Sequence, residues 1–442
     1  MSQLDLLSDL IRHAKAAGAD AADAAVVGGT SLSVSVRLGK TEQLLRSEDR
    51  DLGLRVFVGQ RSASVSSTSV DPAGFRAMAE RAVAMARVVP DDPFTGLAEQ
   101  ARPPEPVDLD LDDQAEPDAD ALLLRAKAAE AAAMAVAGVT NSEGADASYG
   151  RTELLLVTSA GFAGQTARTS HSISAVALAG EGVRMQRDYD YSSAVHLSDL
   201  EDPAAIGRVA GEKAIARLDP ARPKTARIPV VYDPRVASSL LGHLSGAING
   251  NAITRGTSFL KEMLGKQVFA RGIRIHDDPR RVRGLRSRRF DSEGVPTRAH
   301  VVIDDGVLTT WLLDSRSARQ LGLSSTGHAV RAVGGTPGPA PSNLYLEAGA
   351  QSPAALMADI KEGLYITEMM GSSINGITGD YSRGAAGFMI RDGALAEPVA
   401  EITVAGRLQD IFMNLTPAND LRFRRGTDSP TVRVDGLTVA GA

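Results

Sequence analysis

The sequence contains no cysteine. That absence excludes disulfides, thiolate metal sites and cysteine nucleophiles, and it removes the redox clue to compartment. Aromatic residues are scarce, 4% with a single Trp in 442 residues, so Ala, Leu, Val and Met must fill the cores. No apolar run approaches the roughly 18 residues that a membrane-spanning helix needs. The opening MSQLDLLSDLIRHAKAAG is broken by Asp5, Asp9 and Arg12 and lacks the apolar stretch of a signal peptide. A cytoplasmic address without membrane contact is therefore expected. Neither sign of charge dominates. The formal net charge of −6 leaves no electrostatic footprint for duplex DNA, and direct DNA binding is not expected. The one basic run, Arg280–Arg289, reads as a solvated loop or strand edge, with a patch for an acidic partner as the alternative.

What is present is globular. A hydrophobic share of 43% and a charged share of 23% argue against bulk disorder. The length exceeds what one core organises, so two or three domains are expected. Leu7, Leu10, Ile11 and Ala14 recur at helical spacing up to Gly18, and Leu32, Val34, Val36 and Leu38 alternate like a half-buried strand that turns at Gly39-Lys40. A second hairpin follows at 54–66. Pro72 then opens a helix with an inward stripe of Phe75, Met78, Ala82, Met85 and Ala86. These elements make an N-terminal α/β domain over 1–97. Residues 98–120 are acidic and Pro-rich and read as a linker. A middle α/β segment over 121–217 opens on an Ala-rich helix and closes on a helix from Pro203. After a Pro-bearing joint, 226–442 form a larger mixed domain. There Ser352-Pro353 starts a helix expected to run to Gly363, and Asp305-Gly306 and Asp392-Gly393 mark hairpin turns. Without a strict βαβ rhythm the fold class is α+β.

The familiar chemical signatures are missing. None of the seven histidines is followed by Glu, and none lies three to five residues from another. There is no G-x-S-x-G elbow and no phosphate-binding G-x-x-x-x-G-K-[ST]. His276-Asp277-Asp278 is the one compact ligand-type cluster. A polar turn explains it better than an incidental metal, because catalytic zinc wants three convergent protein ligands. The densest polar and glycine constellation is Thr378-Gly379-Asp380-Tyr381-Ser382-Arg383, continuing to Gly387. It fits either a tight structural loop or a segment lining a peptide cleft.

The Thr378–Gly387 stretch, together with Gly53–Val56, Phe290–Val295, Asp314–Gly322, Ser325-Thr326-Gly327, Ile411–Leu421 and Asp428-Ser429-Pro430, resembles the TldD/TldE family, also described as modulators of DNA gyrase. The matches fall in all three segments and cover nearly the whole chain.

The resemblance implies a cytosolic heterodimeric metallopeptidase acting on unfolded or leader-bearing peptides, among them microcin precursors and labile antitoxins. In it a TldD subunit holds zinc on an HExxxH helix with a later cysteine, whereas TldE (PmbA) lacks these ligands. Anchored on Arg255-Gly256-Thr257-Ser258, the two family histidines fall at Leu241 and Gly246 and the glutamate at Gly242. Leu and Gly cannot bind a cation, and His243 alone cannot replace them. The resemblance therefore implies a TldE-like subunit with no catalytic residue, no metal and no cofactor of its own. Its implied partners are an HExxxH-bearing TldD-like subunit, a peptide substrate along Thr378–Arg383, and a second copy when the TldD-like subunit is absent, held mainly by the region after Pro229. The alternative is a stand-alone binding or regulatory protein linked to gyrase or toxin–antitoxin control.

Overall fold

Small apolar residues at every second position of 22–26 and 34–36 are what a strand presents to a layer packed on that face. They form β1 (Ala21–Arg37), which β2 (Lys40–Val58) and β3 (Arg61–Ser67) follow as hairpins. Next come β4 (Val139–Thr158), β5 (Ala163–Ala179) and β6 (Gln186–Ala194). The computed structural model describes residues 3–441 and joins these six strands in one antiparallel sheet ordered β3-β2-β1-β4-β5-β6. The first and middle segments thus share a single sheet.

Two helix pairs cover one face of it. α1 (Gln3–Ala16) and α2 (Phe75–Val88) pack on Ala22, Ala24, Val26, Leu155 and Val157. α3 (Ala119–Met134) and α4 (Pro203–Ala216) pack on Val34, Val36, Ala145, Ala147 and Ile173. On β1 and on β4 these positions share one parity, so the pairs sit on the same face at opposite ends. Gly207 lets α4 close on α3: a Cβ there would lie 1.8 Å from the Ala129 carbonyl oxygen. Met85, expected on the inward stripe of α2, is 43% exposed. Ala79 and Val83 complete that stripe instead and leave Met85 at its outer margin.

The last segment forms a second sheet from β7 (Ala226–Tyr232), β14 (Glu362–Ile374), β15 (Asp380–Arg391), β16 (Ala394–Arg407), β17 (Leu415–Pro417) and β19 (Val432–Ala440). Its order is β16-β15-β14-β7-β19-β17, and an added β16–β19 pairing closes five of the strands into a ring. α5 (Pro234–Ala247) follows β7 directly. Between α5 and β14 in the chain come α6 (Gly250–Thr254), α7 (Ser315–Gln320), α8 (Pro353–Met357) and the short strands β8 (Ile275–Asp277), β9 (His300–Asp304), β10 (Val307–Leu308), β11 (Ala329–Val330), β12 (Gly338–Pro339) and β13 (Leu344–Leu346). α9 (Leu408–Met413) and β18 (Thr427–Asp428) complete the chain, and β10-β9-β8-β13-β18 make a small sheet. The two Asp-Gly hairpins form as expected, with φ of 47° and 79° at Asp305 and Gly306, and 47° and 81° at Asp392 and Gly393. The helix begun by Ser352 stops at Met357. Gly363 does not end it, because Gly363–Ile366 already alternate as the part of β14 that pairs with β15 and, from Leu364, with β7.

The other face of the first sheet meets this segment. Ala25 and Leu156 pack with Phe162 and Phe290, and Gly53 comes so near that a Cβ would sit 2.1 Å from the Val333 carbonyl oxygen. Asp23 holds Arg55 and Arg331, each at 2.6 Å. Residues 98–118 have no regular element, yet they are no free linker. Leu109 and Leu111 are buried with Val195, and the Thr169 backbone N–H donates to the Leu111 carbonyl at 2.8 Å. The arginine run is likewise not a solvated loop. Arg283 pairs with Asp110 at 2.6 Å and Asp199 at 3.1 Å, because the run crosses where the strap's acids lie. Among the described residues no helix is long and apolar enough to cross a membrane.

Candidate functional site

α5 begins where the Asp233 carboxylate accepts from the Arg235 backbone N–H at 3.0 Å, with Pro234 at the first helical position, a start signal fed straight from β7. Val236, Ala237, Leu240, Leu241, Leu244 and Ala247 form its buried stripe. Ser239, Gly242, His243 and Gly246 lie on the other side, half-buried or exposed. A Cβ added at Gly242 or Gly246 would meet nothing within 4 Å. The helix is bare at these two glycines.

At its start opens a cleft of about 360 Å³. One wall is β6 with Arg187, Asp188 and Tyr189; the others are Arg235 and Ser239 of α5 and Thr367, Glu368 and Arg383 of the β14–β15 hairpin. Asp188 is the hinge of its electrostatics. Burial opposes its ionisation, but hydrogen bonds and charge from Arg235, with Arg217 behind, hold the carboxyl below its ordinary range. Arg235 grips it through both terminal nitrogens, one at 3.0 Å. Arg217 meets Asp188 at 3.3 Å and also pairs with Glu368. The acids facing the cleft are thereby committed. Arg383, by contrast, makes no ion pair among the described residues, and its Nε is buried without a partner, as is Thr367 Oγ1. The cleft can receive an acceptor such as a peptide carbonyl or carboxylate.

Behind Arg383 the His243 ring lies edge-on to Tyr381, 5.9 Å between centroids. Burial, together with the neighbouring Arg383 charge, pushes the imidazole down to about 4. His243 is therefore neutral at neutral pH. Because its folded value lies below the unfolded one near 6.5, its contribution to stability is present above that value and lost as pH falls toward about 4. Proton NMR, with His243→Gln to assign the resonance, is expected to show this ring titrating near 4. A midpoint near 6.5 would contradict the burial.

Of the six residues singled out in sequence, one lines the cleft. Residues 380–391 are strand, not loop. Thr378, Gly379 and Asp380 build the turn before it: Thr378 Oγ1 donates to Asp380 at 2.6 Å, and Gly379, at φ 81°, backs onto Gln409. Tyr381 is 2% exposed and belongs to the core, and Ser382 is half-buried on the opposite side of the strand. Only Arg383 reaches the cleft. Sequence reasoning missed Arg187, Asp188, Arg217, Arg235 and Thr367. The available signal was the alternation Asp188-Tyr189-Asp190-Tyr191, which puts two carboxylates on the buried face of a strand.

The zinc that the resemblance implies for the TldD-type subunit does not fit these positions. The Leu241 side chain is 2% exposed, inside the core, and Gly242 and Gly246 offer no ligand atom. His276 and Asp277 point apart, as neighbours on a strand must. His276 stacks on Tyr345 at 5.1 Å, whereas Asp277 is buried against Ser342 and His328. Among the described residues no three His, Asp or Glu side chains converge for a metal.

A long helix-covered sheet, a strand ring and a cleft at their seam define an α+β protein. Solved structures share the build: a candidate modulator of DNA gyrase from Bacteroides thetaiotaomicron superposes with a TM-score of 0.91, 26% identity and coverage of 99% of this chain and 98% of that one. TldE from Thermococcus kodakarensis shares the fold at a TM-score of 0.89 and 20% identity, covering 99% of this chain and 100% of that one. In sequence, Metalloprotease PmbA of Escherichia coli O157:H7 is 37% identical over 96% of this chain and 92% of its own length, and a Haemophilus influenzae homologue is 33% identical over 98% and 95%. Residues 22–86, 105–218 and 225–441 match domain 1, the central domain and the C-terminal domain of the PmbA/TldA metallopeptidases. The chain belongs to the PmbA/TldA metallopeptidase family.

Proposed function

We propose that this chain is the non-catalytic, TldE-like subunit of a heterodimeric TldD/TldE-type metallopeptidase that acts on unfolded or leader-bearing peptides such as microcin precursors and antitoxins. The observation that carries the reading is the α5 face. Where a metal-holding relative needs side chains, this helix presents Gly242 and Gly246 to open space and turns Leu241 into the core. Zinc then resides on the HExxxH-bearing partner, where a metal-activated water and a general base supply the chemistry. This chain supplies positioning, with Arg383 and Thr367 offering donors to an extended peptide. It works in the cytoplasm, binds neither DNA nor membrane, and associates with itself when the partner is missing.

Two measurements test this. After extensive dialysis the purified chain is expected to hold far less than one zinc per chain and to leave casein intact. Adding the HExxxH relative should bring cleavage that a chelator abolishes. Chelator-sensitive cleavage by this chain alone would sink the proposal, and so would a relative that is fully active without it.

A further inference from the structure

β3 covers only Leu52–Val58 of β2. Residues 40–51 are therefore the bare edge of the first sheet, bonded to β1 on one side and exposed throughout. Proteins blunt or cover such edges. Here, in the middle of a charged stretch, Leu44 and Leu45 stand 56% and 58% exposed. Leu44 ends a cross-strand row: it lies beside Val34, Val34 beside Ala147, and Ala147 beside Ile173. The inner three are buried under α3 and α4. The row runs out into water at Leu44.

We propose that this edge pairs antiparallel with the same edge of a second copy of this chain, Leu44 opposite Leu44 across a two-fold axis. Directly opposed residues must lie on the same face of a sheet. A two-fold perpendicular to it therefore passes between a residue and its own copy. Centring on Leu44 sets Gln43 against Leu45 and Glu42 against Arg46, the latter twice by symmetry. Centring on Leu45 sets Glu42 against Glu48, and centring on Arg46 opposes two guanidiniums; like charges directly opposite destabilise. The sequence is self-complementary in the first register. Glu42 has only a 3.7 Å contact with Arg37, itself about half exposed, and Arg46 has no ionic partner among the described residues. The β1–β2 register shifts opposite Glu42, which confines the seam to residues 42–46, about 17 Å at roughly 3.4 Å per residue. The pairing rests on the self-association proposed above and moves it from the region after Pro229 to the N-terminal sheet.

The full chain is tested by light scattering and cross-linking, with far-UV circular dichroism to confirm folding of each variant. The expected result is a dimer at tens of micromolar. Glu42→Arg should weaken it about tenfold or more by turning two attractive pairs repulsive, and Glu42→Arg with Arg46→Glu should restore it. In a chain without cysteine, Leu44→Cys alone should give a disulfide-linked dimer on mild oxidation, since opposed Cβ atoms lie about 4.5–5.5 Å apart; Leu45→Cys should give little. A dimer that Glu42→Arg leaves intact and Leu44→Cys fails to link overturns this pairing while self-association stands. A monomer at tens of micromolar overturns both, and neither outcome touches the partner-subunit reading, which the mixed activity assay decides.

Discussion

Asp23→Ala is expected to cost about 3–5 kcal/mol, the usual loss when one member of a buried ionic cluster is removed. Asp23 is 2% exposed and sits between Arg55 and Arg331, whose side chains are 7% and 5% exposed. Without it both guanidiniums remain buried, and among the described residues Arg55 keeps one ion pair, with Glu293 at 3.9 Å. Since Asp23 and Arg55 belong to the first sheet and Arg331 to the last segment, the loss falls on the seam between the two layers. Trp311, the sole tryptophan and buried in the last segment, reports one side of it. Urea unfolding followed by Trp fluorescence and by circular dichroism is expected to give separate transitions in the variant. Burial opposes ionisation of Asp23, but the two arginines hold its carboxyl below the ordinary range. A depressed folded value means the contribution is present above the unfolded one, near 3.9, and is lost only as pH falls through the folded one. The deficit should therefore be equal at about pH 6 and about pH 8. Coincident transitions with a midpoint like the parent's would refute the account.

The same substitution at two helical glycines is expected to act in opposite directions. Gly207→Ala drives a Cβ to within 1.8 Å of the Ala129 carbonyl oxygen and 3.0 Å of the Ala133 nitrogen. These are backbone atoms of α3, which cannot rotate away, so the helices must part at a cost of about 1–3 kcal/mol or more. Gly242→Ala meets nothing within 4 Å and removes the entropic cost of glycine in a helix, a gain of about 0.5–1 kcal/mol. Thermal melts of the two variants beside the parent decide it. A tolerated Gly207→Ala would mean α3 and α4 do not approach this closely.

Much of the fold was legible because it obeys short-range rules. Leu7–Ala14 and the Asp-Gly turns carry their geometry in their own spacing, and Pro203 and Pro353 announce helices. The site was less legible because it is assembled across the seam. Asp188, Arg217, Arg235 and Arg383 come from four elements, and nothing in the neighbourhood of any one says which others it meets. Thr378–Arg383 drew notice for its density of polar groups. Half of that density is turn chemistry, and strand alternation puts Tyr381 and Arg383 on one face, where Tyr381 lies in the core and Arg383 at its rim. The acidic strap misled for the same reason: its two anchoring leucines, Leu109 and Leu111, are too sparse to show a period. The free edge of β2 was readable only once the short reach of β3 was known.

The closing of the strand ring also sets an order of events during synthesis. Val230 of β7 is flanked by Leu364 on one side and Val434 on the other. A ribosome adding about 5–20 residues per second needs roughly 10–40 s to travel from the first to the last of these positions. Throughout that interval the apolar Ile228–Val231 stretch lacks at least one lateral neighbour, whereas the sheet that ends at Ala194 has all its strands in hand. The nascent chain thus carries a finished front half and an open rear half, and its exposure to chaperones and proteases is concentrated in the latter.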